Sequence, residues 1–237
     1  MPIIFVADDF GMGADINNAI LHAAKSGILH ATALMLGQSG TAEAVAMARA
    51  NPGLKIGWHL HLNDSIPTTM SHWPWGTSPA RAGISMSISR RSREIMHGEI
   101  TRQWELFRET GLPCHFVNSH HHLHAHPAVF ETLREVLGAD FKGWIRLGKI
   151  HFFHGAVPFF NSASAVDALF RRERGLSTWR CSDTLWGLDR LFAMNAHEVC
   201  AAISNLPEGF HEFLFHPRNL SCPDTRCLLE LKTLLPS

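Results

Sequence analysis

"IIFVADDFGMGADINNAI", residues 3–20, changes its hydrophobic period part-way, and that change decides the fold class. Residues 3–7 form an unbroken apolar run with β-branched members, the pattern of a strand buried on both faces, and the run stops at Asp8 and Asp9. From Asp15 the period becomes helical: Ile16, Ala19, Ile20, Ala23 and Ala24 share one stripe, which Gly27 can close. The same unit of strand, polar loop and helix then repeats. "ATALML" (31–36) reads as a strand and residues 41–50 as a helix stopped by "NPG". "LKIGWHLHL" (54–62) reads as a strand, residues 93–110 as a long helix, and "CHFVNSHHH" (114–122) as a strand with its exit loop. Pro127 can open a helix whose buried stripe is Val129, Phe130, Leu133, Val136 and Leu137. "GWIRLG" (143–148) and "FHEFLF" (210–215) read as further strands. Asn195 with Glu198 predicts a capped helix to about 205, and residues 224–235 a closing amphipathic helix. Residues 63–92 and 149–194 show no clear period. Strands alternating with helices predict a mostly parallel sheet or barrel, expected here as one domain over residues 1–237.

The polar residues fall at one kind of place. Asp8 and Asp9, His59 and His61, Asn118 and His120, Arg146 and His216 each follow an apolar strand-like run. In a barrel of parallel strands those ends converge on one face, where catalytic groups collect. A carboxylate with two imidazoles is a common set for a catalytic divalent cation, because three protein ligands leave room for water. The competing reading is plain: Asp-Asp is frequent in turns, and His59 and His61 could be polar side chains on a half-exposed strand. In "NSHHHLHAHP" (118–127) the five histidines cannot all ligate one ion, so most serve as supporting donors, substrate contacts or solvated groups.

Composition narrows the function class. Lys plus Arg (21) balances Asp plus Glu (21), so no overall charge excess favours nucleic acid or an anionic membrane as a partner. The five cysteines are odd in number and form no CxxC pair, and neither a signal peptide nor a transmembrane segment is apparent, which together predict a cytoplasmic protein.

"VADDFGMGADINNAI", "GWHLHL", "EITRQWELFRETGLPCHFVNSHHHLHAHP", "WIRLG", "DTLWGL" and "LPEGFHEFLFHP" occur in an order and spacing that resemble the YdjC-like (ChbG-type) carbohydrate deacetylases. The "VNSHHHLHAHP" stretch and the "LPEGF…FHP" ending look closest to the hopanoid-biosynthesis-associated members, which act on an N-acetylglucosaminyl hopanoid lipid. Another branch acts on chitooligosaccharides. The resemblance implies an α/β fold, a single-domain distorted (β/α) TIM-like barrel of the glycoside hydrolase/deacetylase type, holding one divalent metal cation (Zn2+, Mg2+, Mn2+, Co2+ or Ni2+). Carried over by position, it makes Asp9, His59 and His120 the metal ligands, Asp8 the general base, His216 the general acid, and Arg146 a neighbour of the base. His61, Asn118, His124 and Trp75 are the candidate substrate contacts. Many relatives carry aspartate where this chain has Asn118, which can donate and accept hydrogen bonds but brings no charge. The expected partner is an N-acetylated sugar or glycolipid, and a homodimer is expected for a barrel of this size.

Two rival readings use the same residues. A metal-dependent phosphoesterase would want more carboxylates and a basic phosphate clamp. A non-catalytic metal-binding protein would take several equivalent ions and tolerate Asp8→Asn.

Overall fold

The computed structural model describes residues 3–153 and 162–235. The strands are β1 (Ile3–Phe10), β2 (Ala31–Leu34), β3 (Lys55–Leu60), β4 (Phe116–Ser119), β5 (Trp144–Ile145), β6 (Lys149–His151), β7 (Arg180–Cys181), β8 (Thr184–Trp186) and β9 (His211–Phe215). The helices are α1 (Ala14–Lys25), α2 (Thr41–Ala50), α3 (Pro79–Ile88), α4 (Arg90–Glu109), α5 (Pro127–Leu137), α6 (Ser162–Leu176), α7 (Ala196–Ile203) and α8 (Pro223–Leu234). All nine strands join one parallel sheet in the order β6-β8-β9-β1-β2-β3-β4-β5-β7.

The sheet curls into a half-barrel. Arg146, just past β5, bonds side chains on β1 and β9. Flat, those strands would stand four and five places away, about 19 Å and about 24 Å at the usual strand spacing, far beyond an arginine's reach. Only curvature brings them together. Closure is not complete among the described residues, since β6 and β7 are the two edges of the sheet rather than neighbours. The α/β class and the curled parallel sheet are as expected, while a closed TIM-like barrel is not shown among the described residues.

Strand parity separates two cores. One face carries Phe5, Phe213 and Phe215 out against the helices, with the buried stripe of α1 (Ile16, Ala19, Ile20, Ala23) among their covers. The concave face carries Ile4, Val6, Ala31, Ala33, Phe116, Trp144 and Phe210, which fill the amino-terminal end of the half-barrel. Phe116 stacks on Trp144 with centroids 4.6 Å apart, and Trp144 meets Phe210 edge-on at 5.4 Å. With that end plugged, the same faces continue upward into polar residues at the carboxyl ends.

The helices and the longer strands fall where the periods predict, within the usual uncertainty of ends. The differences lie in the two aperiodic regions. Residues 63–92 contain α3, with Ser78 as N-cap and Pro79 opening the first turn. Residues 149–194 contain α6 and three strands of two or three residues, too short to show a period. The Phe159 and Phe160 end of the apolar run after His154 lies outside the described residues.

Gly57 is required by this interior: a Cβ there would stand 2.4 Å from the Phe116 ring. Gly57→Ala should force that ring off its stack with Trp144 and cost about 1–3 kcal/mol, read as a lower urea midpoint at unchanged slope.

Candidate active site

Asp8 continues the inward parity of Ile4 and Val6. By the same alternation Asp9 should point out, away from the site. It does not, because its φ is 69° and the register of β1 against β2 slips between Ala7 and Phe10. A left-handed aspartate is uncommon but tolerated, and the bulge turns both carboxylates to one side. Gly11 follows at φ 94°, packed so closely on the Met35 carbonyl that a Cβ would stand 2.7 Å from it.

The two carboxylates then part company. Asp9 Oδ1 lies 3.3 Å from His59 Nε2 at the end of β3, and 3.0 Å from His120 Nδ1 just past β4. One donor atom from each of Asp9, His59 and His120 falls within 4.8 Å of the others. Asp8 is instead gripped by both terminal nitrogens of Arg146, at 2.5 and 3.1 Å, and accepts from Asn118 Nδ2 at 2.8 Å.

Asn118 joins the two halves. Its Oδ1 accepts from His59 Nδ1 at 2.7 Å, which puts the imidazole proton on Nδ1 and leaves a lone pair on Nε2. That Nε2 is buried and has no hydrogen-bond partner, although Asp9 is close enough to attract any cation placed between them. An oriented imidazole with a free inward nitrogen, beside a carboxylate and a second imidazole, is the donor set a divalent cation takes. The residues present therefore fit the divalent cation that the sequence resemblance implies.

Electrostatics separate the carboxylates further. Burial pushes Asp8 up, but Arg146 and His59 outweigh it and hold the carboxyl at about 2. Burial also opposes ionisation of Asp9, and the hydrogen bond from His120 with the proximity of His59 holds it well below the carboxylate range. Arg146 has a second buried partner, Glu212 on β9, with Nε 2.6 Å from Oε1. Burial pushes the Glu212 carboxyl up, against the pull of Arg146. Across the mouth His216 follows β9, its backbone N–H given to Asp224 at 2.7 Å and its ring edge-on to Phe192. Burial lowers the His216 pKa, while the charges of Asp9, Asp8 and Asp224 pull it back up.

The remaining candidates sit around this centre rather than open to it. His61 is buried, with Nε2 2.9 Å from the Leu36 carbonyl and Nδ1 2.9 Å from Ser65 Oγ. His124 is buried between Ser119 Oγ and the Arg146 carbonyl, at 2.8 and 2.7 Å, so it braces the backbone of Arg146. Trp75 is 6% exposed, stacked on Trp73, and donates its ring N–H to the Leu62 carbonyl. Of the other histidines of the cluster, His121 is at the rim 3.4 Å from Asp64, and His126 meets Ser87 on α3.

Sequence reasoning passed over Glu212, Asp224 and Asp64. Glu212 had a signal, as a lone acid at inward parity in the apolar "FHEFLF"; Asp224 looked like an ordinary first-turn acid.

The comparisons with known proteins bear on this geometry. The model of the YdjC-like protein family matches residues 2–226. The chain belongs to that family. A carbohydrate deacetylase of Vibrio campbellii is 35% identical over 138 residues, covering 57% of this chain and 55% of the relative. One from Brevibacillus brevis is 34% identical over 131 residues, covering 54% and 52%. The chain thus spans about half the length of the curated relatives it matches. A crystal structure from Enterococcus faecalis V583, named only provisionally as a cellobiose-phosphate cleavage protein, superposes with a TM-score of 0.67 over 98% of this chain and 90% of its own, at 18% identity. That likeness speaks for the fold.

Two measurements check the site. Arg146→Met leaves Asp8 and Glu212 buried without their cation, and urea unfolding should show a loss of about 3–5 kcal/mol. Asn118→Ala frees the His59 ring, and calorimetric titration with Zn2+ should find affinity lower by about tenfold to a hundredfold.

Proposed function

We propose that this YdjC-like protein is a divalent-cation-dependent N-deacetylase that hydrolyses the acetamide of an N-acetylglucosamine-containing glycoconjugate, with an N-acetylglucosaminyl hopanoid lipid as its substrate. One observation carries the reading. Two adjacent aspartates turn to one side in different company, Asp9 with two imidazoles and Asp8 with an arginine. Metal-assisted amide hydrolysis uses that division, one carboxylate helping to hold the cation while the other, kept off the cation by its arginine, can take a proton.

Asp9, His59 and His120 would hold the cation, which when bound supplies an acidified water, with pKa near about 7 for zinc, and polarises the acetyl carbonyl. Asp8 accepts the water's proton. Arg146 beside it holds the Asp8 carboxyl below the usual carboxylate range, so it is ionised and able to accept a proton from a water acidified by the cation. Arg146 and Asn118 fix the direction in which Asp8 presents its oxygens. His216 protonates the sugar nitrogen as the C–N bond breaks, giving acetate and a free amine. Asp224 and Phe192 hold it in place. Because the ring nitrogens of His61 and His124 and the amide of Asn118 are engaged within the protein, we assign these residues to positioning rather than to substrate contact. Trp75 would act in the same way, by shaping the wall that carries it.

Five free cysteines suit a reducing compartment, and we place the reaction in the cytoplasm. The hopanoid branch is favoured by the resemblance of the 117–127 and 206–217 segments; a chitooligosaccharide is the alternative acceptor within the same chemistry.

The deciding experiment is acetate release from N-acetylglucosaminyl hopanoid and from diacetylchitobiose. Metal-stripped protein re-supplied with single divalent cations is assayed beside Asp8→Asn. Cation-dependent acetate from the hopanoid, reduced about 10²- to 10⁴-fold in Asp8→Asn, is the expected result. Acetate from diacetylchitobiose alone would move the protein to the other branch. Acetate from neither would overturn the deacetylase reading.

A further inference from the structure

Eight large apolar side chains are exposed among the described residues, and their distribution is uneven. Leu176 and Leu234 end α6 and α8. Of the other six, Ile66, Leu191, Phe192 and Leu220 lie in connections that lead from a strand to the helix after it, and Ile84 and Ile88 stand on α3, the short helix between β3 and the long helix α4. In a parallel sheet those connections sit at the carboxyl ends of the strands, the face onto which Asp8, Asp9, His59 and His216 open. Exposed apolar groups gather on the side of the molecule that takes substrate.

Charge is uneven on the same side. From Ser65 to Arg93 the chain has four arginines, Arg81, Arg90, Arg91 and Arg93, and no aspartate or glutamate, although the whole protein is neutral. On α3 the inner face is Ala82 and Met86, while Arg81, Ile84 and Ile88 stand on the outer face; Ile88 is 78% exposed. The helix lies against the segment that supplies His120, with Ser87 Oγ 3.0 Å from His126. Across the mouth the Arg218 guanidinium covers the Phe192 ring at 4.5 Å, beside His216. Phe192 holds a left-handed φ of 60°, so its place at the mouth is maintained against backbone preference.

We infer that this face is a peripheral membrane-docking surface for an anionic phospholipid bilayer. The isoleucines, Leu191 and Phe192 enter the headgroup layer, and Arg81, Arg90, Arg91 and Arg218 meet lipid phosphates. Isolated exposed leucines are ordinary on soluble proteins. Apolar groups concentrated on one face and interleaved with arginines, of which Arg90 also pairs with Glu94 at 3.0 Å, are the composition that binds an anionic interface. Docking would set the cleft against a sugar that projects from the bilayer. That consequence rests on the lipid-linked substrate proposed above, whereas the docking itself does not. No helix among the described residues is long and apolar enough to cross a membrane, so attachment by this face would be reversible.

The test floats the full chain with phosphatidylcholine vesicles, with and without phosphatidylglycerol. Binding is expected only to the anionic vesicles, to be released by high salt, and to weaken about tenfold or more in Ile84→Ser/Ile88→Ser and in Arg90→Ala/Arg91→Ala. Equal binding to both vesicle types, no binding, or binding unaffected by either double variant would overturn the inference. So would a dimer in gel filtration that the isoleucine variant dissociates, because the face would then belong to a second copy. Acetate release from soluble diacetylchitobiose separates the two claims. If the wild type releases acetate, both variants should match it; if it releases none from either substrate, deacetylation fails while the vesicle result stands.

Discussion

Arg146 is the side chain on which the rest of the site depends. Fully buried, it carries its charge between Asp8 on β1 and Glu212 on β9, and its own backbone is braced by His124. A buried guanidinium costs a great deal of hydration, recovered only where its donors meet acceptors in good geometry. The two carboxylates supply that geometry only if β1, β5 and β9 face one another across a curled sheet. The same contacts keep Asp8 ionised and aimed. Curvature, charge balance and the orientation of Asp8 are therefore one constraint, met by three residues far apart in the chain.

The second constraint is local. A regular β1 would send Asp8 and Asp9 to opposite faces, one into the cleft and one into the helical layer. The left-handed backbone at Asp9 breaks that alternation. Such a residue costs of order 1–3 kcal/mol and persists where its surroundings over-determine it. Here the surroundings are Gly11 packed on the β2 exit and the two imidazoles that receive Asp9. Strain in the backbone is exchanged for two carboxylates on one side, in separate electrostatic company.

Much of this was legible in the sequence because it follows from period and parity. Apolar runs ending in polar residues marked the strand ends that carry Asp8, His59, Asn118, Arg146 and His216. What lay beyond reach has physical causes. β6, β7 and β8 are two or three residues long, less than a period of two needs. The inward turn of Asp9 is a backbone angle, and the pleat alone predicts the opposite. Helix α3 had a readable start at Ser78 and Pro79, but Ile84 and Ile88 sit on its outer face, so no amphipathic stripe announced it. The histidines of residues 118–127 had one composition and several fates, because the left-handed turns at His121 and His122 scatter their rings. The partnership of Glu212 with Arg146, 66 residues apart, exists only through the curl of the sheet.

A crystal structure of the protein soaked with Mn2+, with the ion located by anomalous scattering, tests the central claim most directly. The account predicts one ion, bonded by Asp9, His59 and His120, with Asp8 still held by Arg146. An ion bonded by Asp8, or held only at the rim by Asp64 and His121, would contradict it.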